Sequence, residues 1–394
     1  MNREIINKVK YSHFLYNCYY YIGSLAVRLL GCFVKQNKRT IVFSSFGGRK
    51  YDDSPRCIYE AMLKDKRFNG YRFVWALGNP EQFSIKGAEL VKCDTLSYYR
   101  VLMSASAWVT NSTMERGLSF KPKRIFNLNT WHGTAIKLMG SDISKENTSF
   151  GTKNKRNHND IMLAQGHYDV DIFSRAFGVP RENFRITGLP RNDELVCENT
   201  EENRKRIRKL LGISEDKKVI LYAPTFREYD KDSSGNCTLS IPVDLGKWEQ
   251  SLGKDYVLLM RAHYEIVKKL QINSNDFIKE VSLYPNLNEL MIVSDVLVSD
   301  YSSIFFDYAI QGKPMLCFAY DYERYASERG VYFDIREELK CFIDNEDDLL
   351  NEITILDEKE RQAISRNFRN KYIEAYGNAS LQCIDIIFDA LQRM

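Results

Sequence analysis

Residues Asp295–Asp321, DVLVSDYSSIFFDYAIQGKPMLCFAYD, constrain the fold more than any other stretch. Val296–Ser299 and Met315–Phe318 are apolar runs of strand length, and Ile304–Gln311 between them makes about two helical turns. Gly312 and Pro314 stop that helix. The pattern is a parallel β-α-β unit. It puts the polar turn Asp300–Tyr301–Ser302–Ser303 at a strand's carboxyl end and a helix's amino terminus, where free N–H groups and the helix dipole favour an anion. The two hydroxyls suit a phosphate, and Asp300 and Asp307 are placed to orient donors or take a proton. A simple helix cap by Asp300 or Ser302 explains the same residues without a ligand. This stretch alone leaves both readings open.

The alternation recurs along the chain. Strands are expected at Thr40–Ser44, Tyr71–Ala76, Ala107–Thr110, Arg124–Leu128, Ile161–Ala164 and Phe184–Thr187, with helices around Ile58–Leu63, Ser97–Ser104 and Tyr168–Phe177. Strands Val219–Tyr222 and Tyr256–Met260 precede the opening unit, with smaller ones near Val281 and Phe342. The charged segment Glu201–Lys209 is expected to be helical, residues 228–250 show no clear element, and the tail from Asp347 is helical. The last helix is expected to pack back across the first domain. With 394 residues the chain fits two α/β domains, drawn at 37–197 and 198–394 after an N-terminal helix over 1–36. Mostly parallel sheets covered on both faces follow from the alternation.

Nine scattered cysteines form no CxxC, so neither a disulfide framework nor a zinc site is indicated, and a reducing compartment is expected. The net charge of +4 is concentrated at the start: residues 1–39 hold seven Lys/Arg and one acid. Basicity therefore gives no reason to expect nucleic-acid binding. Within 1–36, Arg3, Lys10, Asn17, Ser24, Arg28 and Lys35 fall on one narrow stripe and the rest is apolar and aromatic. The run is too diluted for a spanning helix or a signal peptide. It fits a basic amphipathic helix lying on an anionic membrane surface; packing on the protein's own core or a partner subunit is the alternative.

Several turns follow expected strands. Ser44–Ser45–Phe46–Gly47–Gly48 leads into Arg49–Pro55; Gly47 lets a ligand approach, but no GxGxxG supports a dinucleotide, and a plain tight turn is equally consistent. Trp131–His132–Gly133–Thr134 combines a side chain that titrates near neutrality with a glycine and a hydroxyl; a structural histidine is the bland reading. Residues 141–158 are expected to form a polar, basic loop. Ala223–Pro224–Thr225–Phe226–Arg227 and Arg261–Ala262–His263 complete the set. Histidines with arginines and a hydroxyl-rich helix start suit transfer of a phosphorus-centred group, with one histidine as base and the other assisting the departing phosphate. Neither a GxxxxGK[ST] loop nor a two-metal carboxylate cluster is visible, so transfer without metal or cofactor is expected.

Trp131–His132–Gly133–Thr134 with Lys137 and Gly140, Gly188–Leu189–Pro190–Arg191–Asn192–Asp193, Tyr222–Arg227, Arg261-x-His263 and Ser299–Ser303 occur together and in order. With Phe306–Asp307–Tyr308 and Lys313–Pro314 they resemble the CDP-glycerol glycerophosphotransferase family of teichoic acid and capsule synthesis, over about Thr40 to Asp334. The resemblance implies a GT-B-like fold of two Rossmann-like domains facing a cleft, an acceptor domain followed by a cytidine-nucleotide domain, on the cytoplasmic face of a bacterial membrane. It implies transfer of glycerol phosphate, or in close relatives ribitol phosphate, from a CDP-linked donor to a hydroxyl of a lipid-linked saccharide or polyol-phosphate polymer, releasing CMP. His132 and His263 match the family's two essential histidines, and Asp300, Ser302 and Ser303 its donor-phosphate turn.

The expected site is then His132 and His263 for catalysis and Gly133, Thr134, Arg261, Asp300, Ser302 and Ser303 for the donor phosphates. Pro224, Thr225, Arg227 and Asp307 are expected on the nucleotide side, Gly47 and Asp53 on the acceptor side. Ala135 stands where the family usually has proline, Tyr264 replaces a common proline after Arg-x-His, and Asp53–Ser54–Pro55 departs from Asp-Asn-Pro. The last change bears on acceptor choice. A sugar-nucleotide glycosyltransferase of the same fold is the second enzyme reading, separable by assaying CDP-polyols against UDP- and GDP-sugars. A membrane-bound binder of anionic polymer is the non-enzymatic one; it would release no CMP. The sequence separates neither glycerol from ribitol nor oligomeric state, and the lack of a large extra N-terminal module mildly favours a priming role.

Overall fold

The computed structural model describes residues 12–143, 158–225, 227, 241–262 and 274–394. It forms two compact α/β units. The first comprises Met1–His132, Met139–Asp193 and Glu374–Met394; the second comprises Gly133–Leu138 and Glu194–Ile373.

The first unit holds a seven-stranded parallel sheet of β1 (Thr40–Ser44), β2 (Arg72–Leu77), β3 (Ala88–Lys92), β4 (Ala107–Thr110), β5 (Phe126–Asn129), β6 (Ile161–Ala164) and β7 (Phe184–Ile186). Their order is β3-β2-β1-β4-β5-β6-β7. Side chains alternate between the faces, as strand period demands. Ile41 and Phe43, Phe73 and Trp75, Val109 and Leu128 pack on one face with helix Asp53–Met62 and the last helix, Ala379–Gln392. Val42, Val74, Ala76 and Trp108 pack on the other with Leu102 and Met103 of helix Leu96–Ser104 and Val27 of helix His13–Cys32.

The second unit holds a five-stranded parallel sheet of β8 (Lys218–Tyr222), β9 (Tyr256–Met260), β10 (Ile278–Glu280), β11 (Val296–Ser299) and β12 (Met315–Cys317), ordered β10-β9-β8-β11-β12. Both sheets thus reverse their winding once, between β1 and β4 and between β8 and β11. In open parallel sheets such reversals are where the crevice for a ligand opens, at the strands' carboxyl ends.

Four expectations need correction. The last helix packs on the first unit as anticipated, so the boundary that kept all of 198–394 in one domain is what departs: Cys383, Ile384 and Ile387 are fully buried in the first unit's core. β3, AELVK, was not anticipated; it lies at the sheet edge and only Val91 is buried, so it lacks an apolar run. No strand forms near Phe342, which is exposed, and Phe318 and Ile343 make only an isolated bridge. Within 228–250, Leu245–Leu252 is helical, capped by Asp244 and anchored by the buried Trp248, one large side chain in place of an apolar stripe.

The N-terminal helix His13–Cys32 turns Ser24 of the expected polar stripe inward, while Arg28 and Lys35 of that stripe remain exposed. Ser24 is buried and its Oγ accepts from Ser119 N at 2.9 Å, while Arg28 reaches Ser119 Oγ at 3.3 Å. Gly31 and Val27 are buried on the same side, whereas Phe14, Tyr21, Ile22, Leu25, Leu29 and Phe33 are exposed. Residues 1–11 lie outside the described residues. Among those described, no helix is long and apolar enough to cross a membrane.

Candidate active site

In the first unit three strand ends converge on His132. After β5, Trp131 enters the left-handed region at φ 51° and Gly133 follows at φ 143°. Asn129 Oδ1 accepts from Trp131 N at 2.9 Å, fixing the turn. Trp131 stacks on His132 with ring centroids 4.0 Å apart and meets Phe177 at 4.5 Å. His132 Nδ1 lies 2.8 Å from the Asn111 carbonyl, at the end of β4. A carbonyl can only accept, so Nδ1 carries the proton and Nε2 presents a lone pair. Burial lowers the His132 pKa below its ordinary 6.5, against the opposing pull of the Asn111 carbonyl and Asp53. The imidazole is therefore mainly neutral at pH 7, the state a base requires.

The loop after β1 joins the same centre. Asn111 Oδ1 accepts from Phe46 N at 2.7 Å and Ser112 Oγ from Gly47 N at 3.0 Å. The Gly47 carbonyl accepts from Arg116 at 2.8 Å. Asp53, also expected on the acceptor side, is buried and pairs with Arg191 at 2.8 Å; the same Arg191 nitrogen donates to the His132 carbonyl at 2.8 Å. Burial pushes the Asp53 carboxyl up, but Arg191 and the Ser54 N–H pull it further down, leaving it below the carboxylate range. Arg191 thus ties the segments around residues 53, 132 and 191 together. Its neighbours in that motif hold the chain's tail. Asp193 accepts from Ala379 N and Ser380 N at 2.9 and 2.7 Å, at the start of the last helix. Gly188, at φ 78°, lies so close to the Ala375 carbonyl that a Cβ would sit 2.4 Å from its oxygen.

In the second unit the loops after β8 and β11 meet. Asp300 is buried and does not cap the following helix, Ile304–Ala309. Its Oδ1 accepts from Thr225 N and from its neighbour Tyr301 N, both at 2.8 Å, and its Oδ2 pairs with Arg227 at 2.8 Å. Capping falls to Ser302, whose Oγ accepts from Ile304 N at 3.3 Å; Ser303 makes no capping bond. Arg227 is 6% exposed. It donates to Asp321 at 2.8 and 2.9 Å and to the Thr225 carbonyl at 2.6 Å, under the rings of Tyr301, Tyr320 and Tyr325. Thr225 Oγ1 is buried with no partner among the described residues, and Pro224 beside it is half-buried.

Arg261, after β9, donates to the carbonyls of Val281 and Tyr284 at 3.0 and 2.9 Å. Asp307 is buried within its helix, and Thr134 is also buried. His263 lies outside the described residues, as do 144–157 of the expected basic loop, Phe226 and 228–240. The sequence reading did not assign Arg191, Asn111 or Asp321. Asp321 had a signal, since it closes the opening β-α-β stretch as a lone carboxylate beyond an apolar strand. Asn111 had none, because its backbone carbonyl and its side chain act on residues far away in sequence.

The family model for CDP-Glycerol:Poly(glycerophosphate) glycerophosphotransferase matches residues 27–389. The chain belongs to this family. It is 39% identical over 313 residues to a teichoic acid poly(glycerol phosphate) polymerase of Staphylococcus epidermidis, covering 76% of this chain but 43% of that protein, so it spans less than half of that relative. It is 33% identical to a teichoic acid glycerol-phosphate transferase of Staphylococcus aureus, covering 86% of this chain and 87% of the relative. Among solved structures, the wall teichoic acid polymerase TagF, in a histidine-to-asparagine variant soaked with CDPG, superposes with a TM-score of 0.83 at 34% identity over 93% of each chain. The fold is thus that of TagF, an α/β architecture with parallel sheets.

Proposed function

We propose that this family member transfers glycerol phosphate from CDP-glycerol to a hydroxyl of a lipid-linked or polymer acceptor, releasing CMP, in teichoic acid synthesis. The observation that carries the proposal is the family match over 27–389. The placement of the site motifs at both sheet reversals supports it.

In this reading the acceptor hydroxyl gives its proton to His132 Nε2 and its oxygen attacks the β-phosphorus. The new P–O bond forms as the bond from that phosphorus to the bridging oxygen breaks, and CMP departs with the electron pair. His263, Gly133, Thr134, Ser302 and Ser303 hold the donor's phosphates, with Pro224 and Thr225 toward the nucleotide. Arg261, bound to the carbonyls of Val281 and Tyr284, supports the loop after β9. The polar atoms of Asp300 and Arg227 are engaged within the protein, so both position the loops, in place of the direct phosphate contact expected of an arginine. Asp53 likewise acts through Arg191 on His132.

The helix His13–Cys32 supports attachment to a membrane surface, because its outward face carries Phe14, Ile22, Leu25, Leu29 and Phe33. Incubation with CDP-glycerol and CDP-ribitol, a lipid-linked disaccharide acceptor and mass analysis of the product tests the proposal. A glycerol-phosphate adduct with matching CMP is the expected outcome. Turnover of UDP- or GDP-sugars alone would overturn it.

A further inference from the structure

We propose that a cavity in the first unit is the acceptor pocket, shaped for a neutral polyhydroxylated head group, a sugar or sugar alcohol, and that His158 seated on Glu115 positions it. This rests on the transferase reading above. The cavity measures about 540 Å³ and its lining runs from Tyr16 and Tyr20 of the N-terminal helix to Trp131 and His132. A head group seated there presents its hydroxyl to His132 Nε2.

The polar lining is built. Glu115 is buried, and its Oε1 accepts from Phe120 N and Lys121 N at 2.5 and 2.8 Å. Its Oε2 lies 2.6 Å from His158 Nδ1. The carboxylate accepts, so His158 Nδ1 donates and the ring is fixed with Nε2 pointing away from Glu115. Nε2 has no partner among the described residues. Asn127, 7% exposed, donates from Nδ2 to the His158 carbonyl at 3.2 Å and to Asn159 Oδ1 at 3.0 Å. Its Oδ1 is buried and has no partner among the described residues. Buried polar atoms are rarely left unmatched, and a ligand hydroxyl would satisfy this one.

Charge selects the class of head group. Among the described lining residues the guanidinium is Arg175, and it is bound to Asp142 at 2.8 and 3.0 Å. No other Lys or Arg lines the cavity among them, so nothing there offers the fork that a phosphate takes. Flat aromatic walls with amides and a fixed imidazole suit an uncharged ring carrying hydroxyls.

Cellobiose, N,N′-diacetylchitobiose and glycerol 3-phosphate serve as soluble probes of the purified full chain, followed by the fluorescence of Trp108 and Trp131 in the lining. Saturable quenching by a disaccharide and none by glycerol 3-phosphate at equal concentration is expected. His158→Gln should weaken the disaccharide about tenfold, one lost hydrogen bond. Asn127→Leu should do the same with an unchanged near-UV CD spectrum. In turnover, His158→Gln should raise the KM for a sugar-terminated lipid acceptor about tenfold while the KM for CDP-glycerol stays at its wild-type value. Disaccharide binding that both variants leave intact, equal binding of glycerol 3-phosphate, or a parallel loss of both KM values would overturn the proposal. Wild-type protein that binds disaccharide but releases no CMP would overturn the transferase reading alone.

Discussion

Arg191 donates from one nitrogen to the Asp53 carboxylate and the His132 carbonyl, so removing it does two things. It strands a buried carboxylate and frees the turn that carries the candidate base. Arg191→Met should cost roughly 3 kcal/mol, at the low end for breaking a buried pair, read as a lower urea midpoint, and should abolish CMP release. The pH dependence has a definite sign. Asp53 is held below its unfolded value, so its contribution is present above about pH 4 and is lost as pH falls through the folded pKa. In Arg191→Met this acid loss should shrink, because burial then raises the Asp53 carboxyl with less to oppose it; superimposable urea-midpoint profiles would refute this. For His132, depressed below 6.5, kcat/KM should be flat near neutrality and decline only below pH 6.5, with the acid limb absent in His132→Ala because turnover is gone. An acid limb centred above pH 7 would argue for another base. At this scale His132 was legible because Trp-His-Gly-Thr is an unusual tetrad at the end of an apolar strand. Arg191's task was hidden, since its partners lie 138 and 59 residues away and no local pattern encodes such a contact.

Elements built on continuous apolar runs were the readable ones: β1, β4, β6 and β9 have the bounds the sequence suggests. The N-terminal helix shows why amphipathicity read from a wheel can mislead. Its small residues, Ser24 and Gly31, permit close approach to Ser119 and Met103, so this small-residue side packs inward and many of the bulky apolar residues remain outside. Leu25 and Leu29 are 58% and 54% exposed; changing both to Lys should leave the melting temperature within a few degrees and abolish co-sedimentation with anionic vesicles. Retained sedimentation would place any membrane contact elsewhere. The turn after β11 depends on its neighbours in the same way. Asp321→Ala removes the carboxylate that orients Arg227, and should destabilise the second unit by about 3 kcal/mol and raise the KM for CDP-glycerol more than it lowers kcat.

For the whole molecule, the two sheet reversals organise the chemistry: β1 and β4 bring Phe46 and Asn111 together, and β8 and β11 bring Thr225 and Asp300 together. The α/β class and the motif positions followed from apolar runs ending in polar turns. The last helix was expected to pack back across the first domain, but the point where the chain returns was not legible, because it depends on shape: Gly188 admits the Ala375 carbonyl and Asp193 receives the start of the last helix. Gly188→Ala should therefore lower the melting temperature clearly, since a Cβ would collide with backbone at a position that also requires positive φ. The same discontinuity sets an order of events during synthesis. Apart from Gly133–Leu138, the second unit is one uninterrupted segment that leaves the ribosome whole, whereas the first waits for Ala379–Gln392 to close its core. A nascent chain made from its N-terminus usually folds its leading domain first; here the unit that begins first is completed after the second, because its core needs Ala379–Gln392.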